Sequence, residues 1–219
     1  MITENILELR KSIPGNVCLV AVSKTKPASD ILEAYQAGQR HFGENKVQEL
    51  CDKQMLLPKD ICWHLIGHLQ TNKVKYIAPF IHLIHSVDSL KLLLEINKQA
   101  AKQNRTIAIL LQFHIAQEET KFGLNLDEAI EILNSESFKN CENVAIQGVM
   151  GMASFVDNPE QIRKEFRTLK YYFDFLKNSY FATNLDFREV SMGMSGDYQL
   201  AIEEGSTLVR VGSSIFGGR

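Results

Sequence analysis

Residues 17 to 27 are V-C-L-V-A-V-S-K-T-K-P, an apolar run that ends in Lys24. A strand that is apolar on both faces is covered on both sides, as in a parallel sheet or barrel. Because side chains alternate along a strand, Lys24 shares a face with Val22, Val20 and Cys18. Apolar neighbours disfavour the ammonium form of an amine and favour the nucleophile, which can form a Schiff base. Lys24 is therefore our first candidate for covalent chemistry.

Two alternatives stay open on this segment alone. Most lysines are exposed, so Lys24 is also compatible with a solvated charge at the end of a strand. Lys26 is the nearest rival amine, but it precedes Pro27 in the following loop, where the proline only biases its backbone towards extended geometry. We rank Lys24 ahead of Lys26.

Helical patterns separate most of the apolar runs that follow. Residues 29 to 37 predict a helix that Gly38 ends, and Asn158-Pro159 begins a helix whose apolar residues recur at spacings of four and three. Seven further strands are predicted at residues 41–45, 62–67, 82–87, 106–115, 144–152, 188–193 and 207–213. A doubly wound open sheet would also alternate, but its glycine-rich first turn is replaced here by S-K-T-K-P. Because eight strand-helix units suit the roughly 250 residues typical of such folds, we predict an α/β fold, a single-domain (β/α)₈ TIM barrel over residues 1 to 219.

Composition narrows the possible partners. A formal charge of −2 and 23% charged residues give no field that would attract polyanions in general. One basic stripe, Arg163, Arg167 and Lys170, is interrupted by Glu160 and Glu165, and we interpret it as a solvated helix face. We therefore expect no nucleic-acid partner.

The sequence lacks the usual signals for secretion, for membrane insertion and for a metal site. The N-terminal residues predict an amphipathic helix without the basic flank of a signal peptide, and no segment approaches the ~20 apolar residues of a membrane span. The four cysteines form no C-x-x-C pair, which is typical of reduced thiols in a cytoplasmic protein. His64 with His68, and His82 with His85, fall in or beside predicted strands rather than on one helix face, so we expect no metal site.

In a barrel of this type the active groups lie at the carboxyl ends of the strands. Polar side chains are predicted at or near several of those ends: Lys24, Asn45, His68, Gln70, Ser86, Asp88 and His114. Strand seven runs into M-G-M-S-G-D at 192 to 197, where Ser195 is a good N-cap for a short helix from Tyr198. Unpaired N–H groups at a helix start, beside glycines that allow close approach, are typical of a phosphate site. The alternative is that Ser195 only caps the helix and Gly212, after strand eight, only permits tight packing.

Five motifs in order resemble those of the pyridoxal 5′-phosphate (PLP) homeostasis protein family, a group of alanine-racemase-like barrels. They are V-S-K-T-K-P at 22 to 27, F-G-E-N at 42 to 45, W-H-L-I-G-H-L-Q-T-N-K at 63 to 73, M-G-M-S-G-D at 192 to 197 and G-S-T-L-V-R-V-G-S-S-I-F-G at 205 to 217. The resemblance covers nearly the whole chain, and it implies a PLP barrel of fold type III.

The resemblance also implies roles for individual residues. Lys24 would hold PLP as an internal aldimine, Arg210 would face the pyridine nitrogen, and Asn45 would lie beside the ring or its 3-oxygen. The PLP phosphate would be surrounded by Ser195, Gly196, Gly212 and Ser213. The family pattern assigns no role to His68, His114 or Lys121. A guanidinium with a pKa above ~12 can only donate a hydrogen bond to the pyridine nitrogen, which weakens the ring as an electron sink.

Three functions follow as hypotheses. The first is a PLP carrier without robust catalysis that passes PLP to apo-enzymes. Because no C-terminal β-domain of the kind found in alanine racemases follows strand eight, we expect this function and no enzyme. We also expect a monomer, because no exposed apolar stripe is evident beyond those that cover a barrel. The second is a PLP-dependent amino-acid racemase, whose second acid or base would be His114, Lys121 or Tyr198. The third is an aldolase in which Lys24 forms a Schiff base with a phosphorylated sugar.

Overall fold

The computed structural model describes residues 1–117 and 122–218. Eight parallel strands close into a barrel in chain order, because β1 pairs with both β2 and β8. The strands are β1 Cys18–Val22, β2 His41–Glu44, β3 Cys62–Leu65, β4 Leu83–Val87, β5 Ile107–Phe113, β6 Val144–Gly151, β7 Glu189–Met194 and β8 Leu208–Val211. The predicted (β/α)₈ barrel is therefore confirmed, with the bounds of each strand within two residues of the predicted ones.

Helices follow the strands on the outside of the barrel. They are α1 Ile2–Ser12, α2 Ala28–Gln36, α3 Val47–Leu56, α4 Val74–Ile77, α5 Leu90–Lys102, α6 Leu126–Asn134, α7 Glu136–Lys139, α8 Pro159–Ser179, α9 Tyr198–Glu203 and α10 Ser213–Phe216, with a 3₁₀ turn at Thr71–Lys73. None of the helices in the described ranges is long and apolar enough to cross a membrane.

Local sequence signals set several helix ends. Asn158 accepts a hydrogen bond from the Gln161 N–H and Pro159 occupies the first turn of α8, as predicted for its start. After α2, Gly38 adopts φ +89°, a left-handed conformation that favours glycine and ends the helix. Residues 29 to 37 accordingly form α2 with a shift of one residue.

The basic stripe on α8 is not simply solvated. Arg163 Nη1 lies 3.0 Å from Glu204 Oε1, and Arg167 Nε lies 2.9 Å from Glu204 Oε2, so both guanidinium groups bind α9. These hydrogen bonds, first that from Arg167, lower the pKa of the Glu204 carboxyl. Lys170 instead pairs with Asp174 on its own helix. The basic stripe therefore links α8 to Glu204 at the end of α9 and also faces water.

The barrel interior has an apolar part and a polar part. Five buried apolar side chains form one inner cluster: Val20, Leu83, Leu110, Met150 and Leu208. The inward positions of β3, β4, β7 and β8 include buried polar side chains, namely His64, His85, Ser191 and Arg210. A much larger apolar core lies between the outer faces of the strands and the helices.

Candidate functional site at the carboxyl end of the barrel

A pocket of about 830 Å³ lies at the carboxyl ends of the strands. Every residue predicted from the sequence for the site lines it: Lys24, Asn45, Ser195, Gly196, Arg210, Gly212 and Ser213. Segments more than 180 residues apart therefore meet in one cavity, because parallel strands of a closed barrel all end on the same side. The pocket also includes apolar walls such as Val22, Ile66 and Met152.

Lys24 lies in a tight turn just after β1 and is half-buried. The next residue, Thr25, has φ +65°, an unusual backbone conformation for a β-branched residue, and its N–H donates to Glu49 Oε1 at 2.6 Å. Lys26 borders the same pocket, but its ammonium donates to the carbonyls of Phe216 at 2.9 Å and Gly218 at 3.0 Å. These hydrogen bonds tie Lys26 to the last residue of α10 and to the chain that follows it.

A buried charge network supports the turn that carries Lys24. Glu44 is 0% exposed, and its Oε1 accepts hydrogen bonds from Ser23 Oγ at 2.6 Å and Lys53 Nζ at 2.7 Å. Lys53 Nζ also donates to the Ser23 carbonyl at 2.8 Å and to Glu49 Oε1 at 2.6 Å. Burial raises the pKa of the Glu44 carboxyl, while the hydrogen bonds from Lys53 and Ser23 lower it. Both residues flanking Lys24, Ser23 and Thr25, are therefore fixed by side chains of β2 and α3.

Sequence reasoning missed this network. Glu44 belongs to the F-G-E-N motif, and an acid at the end of an apolar strand is a signal that a buried partner exists. The partner, Lys53, lies on the following helix, and the spacing of residues along the sequence does not indicate which side chain of that helix pairs with Glu44. Glu165 was likewise treated only as an interruption of the basic stripe. It is buried, and its carboxylate accepts hydrogen bonds from Ser154 N at 2.6 Å and Oγ at 2.8 Å, which fixes the loop after β6.

Arg210 projects from β8 into the pocket and is 4% exposed. Its Nη1 donates to Ser191 Oγ at 2.6 Å and its Nη2 donates to the Gly151 carbonyl at 3.1 Å. Burial lowers the pKa of the guanidinium to about 10, with Asp197 acting in the opposite direction. The side chain is therefore protonated at neutral pH and can only donate hydrogen bonds.

The glycine-serine loops after β7 and β8 touch each other. Ser195 Oγ accepts a hydrogen bond from the Gly212 N–H at 3.1 Å. The prediction that Ser195 caps α9 is wrong, because Asp197 is the residue before that helix and Asp197 Oδ1 accepts from the Met194 N–H at 2.5 Å. At Gly212 a Cβ atom would lie 3.1 Å from the Val22 carbonyl oxygen, so the chain passes close to β1 there. Gly196 faces open space, and a Cβ there would meet no atom within 4 Å.

The Asn45 side of the pocket is shaped by close backbone contact. Asn45 directly follows β2, and a Cβ on Gly67 would lie 2.5 Å from the Asn45 carbonyl oxygen. His68 lines the rim, where its ring stacks on Phe122 with 5.0 Å between centroids and its Nδ1 lies 3.7 Å from Asp88 Oδ2. Burial raises the pKa of the Asp88 carboxyl, while His68 lowers it. The motif at residues 63 to 73, W-H-L-I-G-H-L-Q-T-N-K, therefore lines the pocket with its middle residues.

Three residues were named as possible second acids or bases. Tyr198 shares a hydrogen bond of 3.1 Å between its hydroxyl and Ser12 Oγ on α1. His114 is half-buried and is not among the described residues that line the pocket; its N–H donates to the Leu124 carbonyl at 3.0 Å. Lys121 lies outside the described residues.

Comparison with known proteins gives consistent matches. The family model for the alanine racemase N-terminal domain matches residues 1–219. A pyridoxal phosphate homeostasis protein of Aquifex aeolicus is 41% identical over 202 residues, which cover 92% of this chain and 86% of that protein.

Solved structures agree with this match. PipY of Synechococcus elongatus, solved without PLP, superposes with a TM-score of 0.92 at 37% identity and covers 99% of this chain and 100% of its own. The structure of PipY with PLP bound has a TM-score of 0.88 at 36% identity and the same coverage. Alanine racemase of Bartonella henselae shares only the fold, with a TM-score of 0.74 and 18% identity over 99% of this chain and 58% of its own. The chain therefore belongs to the alanine racemase N-terminal domain family and, within it, to the group of pyridoxal phosphate homeostasis proteins.

Proposed function

We propose that this chain binds PLP in the carboxyl-end pocket and holds it for homeostasis and delivery, without robust catalysis. The observation that carries the proposal is the convergence of a lysine, a buried arginine and two glycine-serine loops on one pocket. The relatives' name, pyridoxal phosphate homeostasis protein, and the PLP-bound structure of PipY support it.

The donor set fits the chemistry of PLP. When bound, PLP supplies an aldehyde, a phosphate and a pyridine ring that acts as an electron sink. The pocket offers an amine, a set of hydroxyl and backbone N–H donors, and a guanidinium, one for each of these three parts. Its volume of about 830 Å³ falls within the range of roughly 300–1,000 Å³ found for cofactor sites.

The covalent attachment belongs to Lys24. Its Nζ would hold PLP covalently, because an amine at this position can condense with the aldehyde that PLP supplies. The Glu44–Lys53 network holds the turn that carries Lys24 in place. Lys26 lies in the loop before Pro27, and its ammonium donates to the carbonyls of Phe216 and Gly218.

The phosphate would lie between the two glycine-serine loops. Ser195 and Ser213 supply hydroxyl groups, and backbone N–H groups at Gly196 and at the start of α10 supply further donors. The Ser195–Gly212 hydrogen bond sets the spacing between the loops. We assign Ser195, Gly196, Gly212 and Ser213 to phosphate binding on this basis.

Arg210 would weaken PLP as an electron sink, but this alone does not separate a carrier from a racemase. Its protonated guanidinium would donate to the pyridine nitrogen and leave it without a proton, which makes the ring a weaker electron sink. Asn45, at the end of β2, would lie beside the ring or its 3-oxygen. An efficient racemase would also need a second acid or base opposite Lys24, and the contact of Tyr198 with Ser12 directs that hydroxyl towards α1.

We further propose that the protein acts in the cytoplasm as a monomer and transfers PLP to apo-enzymes. A reducing compartment suits its four cysteines, which are all free thiols. Transfer would require reversible attachment at Lys24, so that PLP leaves with its aldehyde intact.

Transfer and turnover can be measured on the same preparation. PLP-loaded wild type, cleared of unbound PLP by gel filtration, is mixed with an apo-aminotransferase, and the return of aminotransferase activity is followed; Lys24→Ala treated identically is the control. A second portion is incubated with L-alanine in D₂O to detect racemisation and exchange of the α-hydrogen. We expect reactivation by wild type only and no exchange above that of PLP alone. Racemisation at ordinary enzyme rates, or equal reactivation by Lys24→Ala, would contradict the proposal.

A further inference from the structure

Three side chains with metal-ligating atoms meet at the amino-terminal end of the barrel, opposite the PLP pocket. His41 begins β2, Cys62 begins β3, and His82 immediately precedes β4. One ligand atom from each lies within 4.8 Å of the other two. His41 and Cys62 are register partners across β2 and β3, and the His41 and His82 rings are 5.5 Å apart between centroids. The cluster is therefore built by strand register and not by sequence spacing.

His41 is already oriented as a metal ligand. Its Nδ1 lies 2.9 Å from Nε2 of His64, a residue that is 1% exposed. Metal-binding histidines usually have their second ring nitrogen held by a hydrogen bond in this way, which fixes the ring and leaves the other nitrogen for the metal. Because Nδ1 makes this contact, we assign Nε2 of His41 to the metal.

The other two ligands can adjust to an ion. Zn–N bonds of about 2.0–2.1 Å and Zn–S bonds of about 2.3 Å place tetrahedral ligand atoms roughly 3.4–3.6 Å apart, so the cluster must contract by about an ångström. His82 is exposed and Cys62 is half-buried, so the His82 ring has room to rotate.

We propose that His41, Cys62 and His82 bind a divalent ion of the zinc class. Two imidazoles and one thiolate form a borderline-to-soft ligand set that suits Zn²⁺ and is unsuited to Mg²⁺ or Ca²⁺. The Cys62 thiol gives up its proton to solvent on binding, and a water molecule occupies the fourth position. This site departs from the expectation of no metal, which considered only His64 with His68 and His82 with His85. In the structure His68 lies at the opposite end of the barrel from the cluster.

Occupancy of the site would fix a chain of histidine tautomers. His64 Nδ1 lies 2.8 Å from His85 Nε2, and His85 Nδ1 lies 2.9 Å from Ser191 Oγ, which also accepts from Arg210. A metal on Nε2 of His41 places that ring's proton on Nδ1, where it donates to His64. Because each neutral ring has one donor and one acceptor, His64 and His85 must then also carry their protons on Nδ1. The barrel mouth is thereby connected by hydrogen bonds to Arg210 in the pocket.

Binding can be tested with the full chain and Co²⁺ as a spectroscopic probe for the zinc site. Metal-free wild type should bind one Co²⁺, which gives a thiolate-to-cobalt absorption band. Added Zn²⁺ should displace the Co²⁺ and remove the band. Cys62→Ser should lose the band, and His82→Gln, a change at an exposed residue, should weaken Zn²⁺ binding about 10-fold or more. Cys141→Ser, which removes a half-buried thiol elsewhere, is the matched control and should bind as wild type does. Retention of the band in Cys62→Ser, or the absence of one-to-one binding by wild type, would overturn the proposal.

The tautomer chain provides a readout that does not depend on cysteine or on PLP. In protein labelled with ¹⁵N-histidine, Zn²⁺ should move His64 and His85 fully to the Nδ1–H form. In His82→Gln the shift should be smaller than in wild type at a Zn²⁺ concentration that only just saturates wild type. If His64 keeps its proton on Nε2 in the Zn²⁺-bound protein, His41 cannot be a ligand through Nε2 and the assignment is wrong.

Discussion

Lys53→Met is expected to destabilise the protein strongly because it leaves a buried carboxylate without its cation. The Lys53 side chain is 8% exposed and that of Glu44 is 0% exposed, with 2.7 Å between Nζ and Oε1. The same substitution removes the donor to the Ser23 carbonyl and to Glu49. Methionine is similar to lysine in length and is apolar, so the change removes the charge with little change in volume.

The expected loss is about 3–5 kcal/mol, the range for removal of one partner from a buried ion pair. That is a large part of the about 5–15 kcal/mol by which domains are stable, so the variant should unfold at markedly lower denaturant. Glu44→Gln removes the orphaned charge, and the double variant should recover about 2–3 kcal/mol of the loss. Lys98→Met removes a surface pair, 3.8 Å from Glu95 with 62% of the lysine exposed, and should change stability by less than about 0.5 kcal/mol.

The loss should also depend on pH. Burial raises the pKa of Glu44 in the folded protein, and loss of Lys53 removes a contribution that lowers it, so the pKa rises further. A carboxyl whose folded pKa is raised contributes stability below its unfolded pKa of about 4.3, and this contribution is lost as pH rises through the folded pKa. Lys53→Met should therefore be closest to wild type in acid and should fall further behind as pH approaches 8.

Urea unfolding followed by circular dichroism at pH 5 and pH 8 measures both effects. The reasoning would be refuted if Lys53→Met lost less than about 1 kcal/mol relative to Lys98→Met at pH 8, well under the usual cost of breaking a buried pair. It would also be refuted if the loss were equal at the two pH values.

Three further changes have defined outcomes. Gly148→Ala should cost at least about 1–3 kcal/mol, read as a lower Tm, because its Cβ would lie 1.8 Å from the Glu189 carbonyl oxygen; an unchanged Tm would show that the strands separate freely. Ser195→Ala should weaken PLP binding about 10-fold, because the Gly212 N–H loses its acceptor at 3.1 Å and the PLP phosphate loses a hydroxyl donor. PLP affinity is measured by absorbance titration, and an affinity equal to that of wild type would count against the proposed phosphate site. Asn158→Ala should lower the free energy of unfolding by about 1 kcal/mol through loss of the α8 cap, with no change in PLP binding; no loss in urea would rule out the cap.

The barrel could be predicted because each of its strands and helices is marked by a pattern within its own stretch of sequence. Each buried strand is a short apolar run, each helix has a 3.6-residue apolar period, and signals such as Asn158-Pro159 mark the boundaries. The positions of Lys24 and Arg210 follow from the same pattern, since strand alternation determines which residues face inward. The carboxyl-end location then follows from parallel strand direction.

Contacts between distant elements could not be read in this way. Ser195 and Asp197 are both residue types that cap helices, and only the path of the turn places Asp197 directly before α9, with its carboxylate bonded to the Met194 N–H. The Glu44–Lys53 pair depends on how α3 packs across β2. His41, Cys62 and His82 lie about twenty residues apart on successive strand-helix units, so their proximity depends on strand register.

The central claim is that Lys24 is the covalent attachment site for PLP. Purified protein is incubated with PLP, its absorption spectrum is recorded, and the complex is reduced with borohydride and mapped by peptide mass spectrometry in wild type, Lys24→Ala and Lys26→Ala. We predict an absorption band and a reduced adduct on Lys24 in wild type and Lys26→Ala, and neither in Lys24→Ala. An adduct on Lys26, adducts scattered over several lysines, or no band in wild type would contradict the account.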